Sequence, residues 1–183
     1  MTRTEAWFDR LYEEHYRHVL AYCARRAAPP DADDAAAEVF TVAWRRGDDV
    51  PGGDRALPWL FGVARKVLSH QRRGSERFRR LTSRVATVQE PLPPTPDAVV
   101  VQREEYHQVR DAVGHLRPND REVLLLSAWE GLSHSQIAEA LGLSQAAVDK
   151  RLTRAKHRLA RQYETQLKMH RPPASAAGGG GSP

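Results

Sequence analysis

Residues 132–159, LSHSQIAEALGLSQAAVDKRLTRAKHRL, decide how this chain folds. Ser133 and Gln136 stand at capping-box spacing and start a short helix, with Ile137, Ala138 and Leu141 on its inward stripe. Gly142 permits the left-handed turn that ends it. Leu143 then plugs the space between two helices, and Ser144 caps the second. In that helix Val148, Leu152, Ala155 and Leu159 recur at helical intervals and form one buried stripe. The opposite side shows Gln145, Ala146, Asp149, Lys150, Arg154 and Arg158. Short helix, glycine turn, capped helix and basic face together make a helix-turn-helix whose second member suits a major groove. The expected DNA-contacting residues are Ser144, Gln145, Ala146, Lys150, Arg151, Arg154 and Arg158.

Working outward, helical pattern runs from Val99 through Val109, Val113 and Leu116 until Pro118 breaks it. Asn119 or Asp120 can cap the next segment, Arg121 to Trp129. Residues 81–98 contain VATVQEPLPPTPDA, whose prolines predict an extended linker. Before it, Thr2 to Ala27 reads as a helix with a Thr2–Glu5 capping box, ended by Pro29 and Pro30. A second helix begins near Asp31 as its cap and buries Ala36, Val39, Phe40, Ala43 and Trp44. Gly47–Asp54 is a loop by its turn chemistry. A third helix starts at Pro58, with Leu60, Val63, Ala64, Val67 and Leu68 on one stripe. Residues 172–183, rich in proline, alanine and glycine, read as a disordered tail. Strand-like alternation appears nowhere. The expectation is an all-α protein of two helical domains, 1–80 and 99–171, joined by the proline-rich linker, with the helix-turn-helix in the second.

The formal charge of +5 conceals a segregation. Residues 65–80 and 144–183 each carry a net +6, whereas 1–64 and 81–143 carry −3 and −4. Two compact cationic blocks fit a polyanion touched at two places. Other classes fall away. One cysteine, Cys23, excludes an intramolecular disulfide and a multi-cysteine zinc site, and suits a reducing compartment. No apolar run approaches the roughly 18–20 residues of a membrane span, and MTRTEAWFDR lacks a signal-peptide core, so the expected place is the cytoplasm, without membrane insertion. His15, His18 and Cys23 share one helix, but the step from His18 to Cys23 is a poor same-face spacing for metal ligands. There is no phosphate-binding glycine loop, nucleophile elbow or paired-carboxylate signature, so neither catalysis nor a cofactor is expected.

Four stretches together resemble the bacterial extracytoplasmic-function (ECF) sigma factors. FDRLYEEHYRHVLAYCARR, DADDAAAEVFTVAWR and ALPWLFGVARKVLSHQRR look like the second conserved region of that family. LRPNDREVLLLSAWEGLSHSQIAEALGLSQAAVDKRLTRAKHRL looks like the fourth. The resemblance implies a protein that binds core RNA polymerase through its largest subunits and directs it to promoter DNA. The first domain would take the minus-ten element as a separated strand, the second the minus-thirty-five element as duplex. Strand separation needs cations along a backbone and a wall for an extruded base. Arg55, Trp59, Arg65, Lys66, Arg72 and Arg73 are the candidates, with core packing as the competing role of Trp59. The resemblance also implies that Asp31, Asp34, Glu38, Val39, Phe40 and Trp44 dock on the polymerase, although acids in a first helical turn also answer the helix dipole. An anti-sigma partner is a further family expectation. The alternative is a free-standing helix-turn-helix regulator, which would bind duplex DNA tightly without polymerase.

Overall fold

The computed structural model describes the backbone of residues 4–82 and 111–170, and the side chains of 4–77 and 111–162. The linker beyond residue 82, most of the helix expected from Val99, the Thr2 cap and the 172–183 tail lie outside the described residues. Within them the chain is helical and contains no strand.

Helix α1 spans Glu5–Ala24 and buries Leu11, His15, Val19, Tyr22 and Cys23, one stripe at intervals of three and four with Cys23 beside it. It starts after Thr4 and stops short of Ala27. Helix α2, Pro29–Arg45, explains why. Pro29 and Pro30 occupy its first turn, where a missing N–H removes no helical hydrogen bond, so these prolines begin the second helix. Asp31 therefore lies inside that turn, and Ala28 holds the cap position. The expected loop closes through two single 3₁₀ turns, Gly47–Asp49 and Gly53–Arg55, with Val50 buried between them. Helix α3 runs Ala56–Thr82, from two residues before Pro58 to just past the expected boundary at residue 80. Its 27 residues extend about 40 Å. Its inner stripe, Leu60, Phe61, Ala64, Val67 and Leu68, meets α1, and the Phe61 ring stacks on Tyr22 at 4.9 Å.

In the second domain residues 111–114 are helical, and α4 spans Pro118–Ala128. Pro118 again opens a helix, at its first turn, and Arg117 takes the cap position expected for Asn119 or Asp120. Val123, Leu124, Leu125 and Leu126 are all buried, so α4 is covered on more than one side. Helices α5, His134–Leu141, and α6, Gln145–His170, complete the domain. The buried side chains of both domains join in one continuous hydrophobic cluster, because α3 lies directly on α5. At that crossing Gly62 faces Ala140, and a Cβ at Gly62 would fall 2.6 Å from the Ala140 carbonyl oxygen.

Candidate nucleic-acid interface

The helix-turn-helix is built as its residues dictate. Ser133 Oγ accepts from the Gln136 backbone N–H, and Gln136 Oε1 accepts from the Ser133 N–H at 2.9 Å, a complete capping box. Gly142 adopts φ 63°, the left-handed conformation that ends α5. Ser144 Oγ accepts from the Ala147 N–H at 3.2 Å and caps α6. Val148, Leu152 and Ala155 are buried, and Leu143 and Leu159 pack against the core.

On the outer side of α6, Ser144, Gln145, Ala146 and Lys150 are exposed. Arg151 is turned half inward, where it lines a small cavity with Arg65 and Glu122. Arg158 is half-buried. Arg154 is engaged: its Nη2 donates to Asp120 Oδ1 at 3.1 Å, and the Asp120 side chain is only 3% exposed. Exposed pairs contribute little, but the burial of this carboxylate makes its one partner count. Replacing Arg154 with alanine is therefore expected to lower stability by about 1–3 kcal/mol, because a buried acceptor loses its donor. Denaturant unfolding of the variant checks this. A loss confined to DNA affinity, with stability unchanged, would return Arg154 to a base-reading role. Helical periodicity also places Thr153 and His157, both exposed, beside Lys150 on the outer face. Neither belongs to the set expected from sequence, although steps of three and four from Lys150 lead to both. His134 Nδ1 and Asp149 Oδ1, 2.6 Å apart, pin the start of α5 to the first turns of α6.

The second cationic surface lies on α3. Arg65, Lys66, Arg72 and Arg73 are exposed and line an interdomain cleft of about 990 Å³, with Asn119 and Glu122 of α4 across it. Arg73 Nη1 donates to Ser69 Oγ at 3.0 Å, and Arg72 Nη2 to the Arg26 carbonyl at 2.9 Å. Arg55 is exposed at the mouth of α3, while Trp59 is half-buried and packs against the core. Most of its ring is therefore occupied by the fold.

The acidic start of α2 presents Asp31, Asp34 and Glu38 to solvent. Val39 and Phe40 differ: both are interior, on the face that packs against α1. Trp44 is 50% exposed and meets Phe8 edge-on at 5.1 Å. Phe8, Tyr12 and Tyr16 continue this into an aromatic strip, with Tyr12 stacked on Tyr16 at 4.7 Å and edge-on to Phe40 at 4.9 Å. Phe8, Tyr12 and Tyr16 recur at intervals of four in the sequence, but such periodicity does not separate the outer edge of the strip from the core. His15 is buried, and burial lowers its pKa against the opposing charge of Glu14. Among the described residues no cluster of histidine, cysteine, aspartate and glutamate could hold a metal ion, and no helix is long and apolar enough to cross a membrane.

A group that sequence reasoning missed joins the domains. Arg25 and Arg26, at the end of α1, meet Glu122 of α4 and Glu130 just beyond it. Tyr22 Oη donates to Glu122 Oε1 at 2.6 Å, and the Arg26 guanidinium lies 3.6 Å over the Tyr22 ring. Burial works to lower the Arg26 pKa, but Tyr22, Glu122 and Glu130 more than offset it, so it is raised and the guanidinium stays charged.

Comparison with known proteins assigns both halves. The description Sigma-70 region 2 matches residues 11–78, and Sigma-70, region 4 matches residues 106–159. The chain is 31% identical over 169 residues to RNA polymerase sigma factor NccH of Alcaligenes xylosoxydans xylosoxydans, covering 83% of this chain and 84% of that one. It is 33% identical over 146 residues to ECF RNA polymerase sigma factor SigL of Mycobacterium tuberculosis, covering 78% and 80%. A solved structure of CnrH in complex with the cytosolic domain of CnrY superposes with a TM-score of 0.60 at 28% identity, covering 88% of this chain and 90% of that one.

Proposed function

The chain belongs to the ECF-type sigma factors of the sigma-70 family, and we propose how its two cationic surfaces divide promoter recognition between them. It is an alternative sigma factor that directs transcription initiation by core RNA polymerase. On this reading α6 enters the major groove of the minus-thirty-five element, with Gln145 and Lys150 at base edges and Lys156 and Arg158 at phosphates. Arg151 and Arg154 hold the helix in place from its flanks. The α3 face takes the minus-ten element as a separated strand: Arg65, Lys66, Arg72 and Arg73 neutralise the backbone, and Arg55 and the free edge of Trp59 flank an extruded base. Extruding a base costs a few kcal/mol. The polymerase supplies this by holding the DNA, so the factor itself needs no catalytic group and works in the cytoplasm. Asp31, Asp34 and Glu38, beside the exposed aromatic edge of Trp44 and Tyr12, form the face that docks on the largest polymerase subunits. Val39 and Phe40 support that face from inside the core.

The observation that carries this reading is the placement of cations from both blocks on solvent-facing helix surfaces in two different domains: Arg65, Lys66, Arg72, Arg73 and Arg77 on α3, and Lys150, Arg154 and Lys156 on α6. A free-standing regulator has no use for the first of them. Since CnrH is seen in complex with CnrY, we infer an anti-sigma protein as the third partner here. Adding the purified chain to bacterial core polymerase is expected to give promoter-specific initiation. Tight, specific duplex binding without polymerase, and no association with core, would overturn the assignment.

The salt dependence of DNA binding tests the recognition helix separately. Six phosphate contacts from Lys150 to Arg161 would weaken affinity roughly a thousandfold between 50 and 200 mM salt. The two phosphate contacts assigned to Lys156 and Arg158, with Arg154 held by Asp120 and Arg151 turned inward, predict only about a tenfold loss. Titration of minus-thirty-five duplex at both salts measures it.

A further inference from the structure

We propose that the cleft between α3 and α4 is a binding site for a compact polyphosphate anion, free or carried by a nucleotide. Its volume of about 990 Å³ suits a ligand of that size. The walls carry more positive charge than the fold neutralises. Arg25 and Arg26 are answered by Glu122 and Glu130. Arg65, Lys66, Arg73 and Arg121 also line the cleft, and they form no ion pair among the described residues. Asp111 is the one further acid among the described lining residues.

Two guanidinium groups from opposite walls are fixed by backbone carbonyls. Beside α4, Arg121 Nη2 donates to the Gly114 carbonyl at 2.6 Å and to the Leu116 carbonyl at 3.3 Å. On α3, Arg72 Nη2 donates to the Arg26 carbonyl at 2.9 Å. Carbonyl acceptors orient a guanidinium but leave its charge uncancelled. The two groups also act on each other. Burial lowers the Arg121 pKa and the Arg72 charge lowers it further, against a smaller pull from Glu122, yet so basic a group stays protonated. Arg121 Nε is buried without an acceptor. The fold therefore holds like charges from two domains against each other, and a multivalent anion between them removes the repulsion.

The geometry favours a short polyphosphate over other anions. Each planar fork takes phosphate oxygens in pairs, and one compact chain meets forks on both walls at once. Sulfate answers one fork only. A nucleic-acid strand spreads its charges along a line, so it follows α3 and has no need of a cation on the facing wall. Arg65, Lys66, Arg72 and Arg73 are also the cations assigned to the minus-ten strand, so strand and anion exclude each other. That consequence rests on the function proposed above; the site itself does not.

Calorimetric titration of the full chain at roughly 150 mM salt tests the site with sodium tripolyphosphate, magnesium-free ATP and sulfate. Tripolyphosphate is expected to bind at least about tenfold more tightly than sulfate. Arg121→Gln, in the wall that no DNA contact uses, is expected to weaken it about tenfold to a hundredfold, the range for losing a charged hydrogen-bond partner. Arg72→Gln leaves the Arg121 carbonyl contacts intact and should weaken it by a similar factor. Arg77→Gln removes an exposed α3 cation outside the cleft lining and should change it less than about twofold. ATP bound more tightly than tripolyphosphate identifies a nucleotide as the ligand; ATP bound equally or more weakly identifies the free chain. Equal weakening in all three variants would overturn the site, because it marks a diffuse cationic surface. Tripolyphosphate binding no tighter than sulfate would do the same. If Arg121→Gln does not fold, the contrast between Arg72→Gln and Arg77→Gln decides alone. The titrations contain neither polymerase nor DNA, so their failure leaves the assigned function standing, and a failure of initiation leaves the site standing.

Discussion

Cys23 is expected to react with a thiol reagent at pH 8 about a thousandfold more slowly in the folded protein than in the unfolded chain. The thiolate is the reactive form, and an unperturbed cysteine has a pKa near 8.5. Burial pushes the Cys23 thiol up to about 12, with the Arg26 charge opposing and Glu130 reinforcing the shift. At pH 8 this reduces the thiolate from roughly a quarter of molecules to about one in ten thousand. The residue is also 0% exposed, so the reagent reaches it only when α1 opens. Labelling followed by mass spectrometry, with and without denaturant, measures both rates. Rapid labelling under native conditions would show that the packing of α1 opens readily.

Replacing Phe61 with alanine is expected to cost about 3–5 kcal/mol in unfolding free energy, the usual range for emptying a buried aromatic site. Phe61 is 2% exposed and sits in the inner stripe of α3, stacked on Tyr22. The neighbours are helix-borne and cannot collapse freely into the space. A small domain is stable by only about 5–15 kcal/mol, so the variant should be marginal near body temperature. Phe61→Leu fills most of the cavity and should recover the larger part of the loss. Urea unfolding of the three forms tests this, and a loss below about 1 kcal/mol for the alanine variant would mean that the ring is not tightly packed. The effect should also spread. Tyr22 holds Glu122 by its hydroxyl, so a loosened ring weakens the contact between the domains as well.

The local elements were legible from sequence in proportion to how local their signals are. Ser133, Gln136 and Gly142 act over three to nine residues, and the capping box and left-handed turn are where the pattern put them. Prolines were less transparent. Pro29, Pro30 and Pro118 looked like terminators, yet each begins a helix. A proline both breaks a helix and suits its first turn, and only the packing of the following stripe decides which applies. Helix faces carried a similar ambiguity. Val39 and Phe40 belonged to a pattern that reads as core or interface, and they are core. Arg154 reads from the sequence as one of the DNA-facing cations of α6, and only the fold shows that α4 brings the buried Asp120 beneath it.

The all-α class, the helix-turn-helix and the division of charge into two blocks are properties of the sequence by itself. They depend on residues three or four apart and on composition, and such relations hold wherever the chain lies in space. The joining of the two domains is a property of the tertiary structure. Tyr22 and Glu122 are 100 residues apart, and Arg25 and Glu130 are 105 apart. No periodicity links positions at such a distance. Nothing in their composition separates these charges from ordinary solvated ones. Burial makes that distinction, because a charge taken from water must find a countercharge, and the fold alone determines which groups are taken from water together.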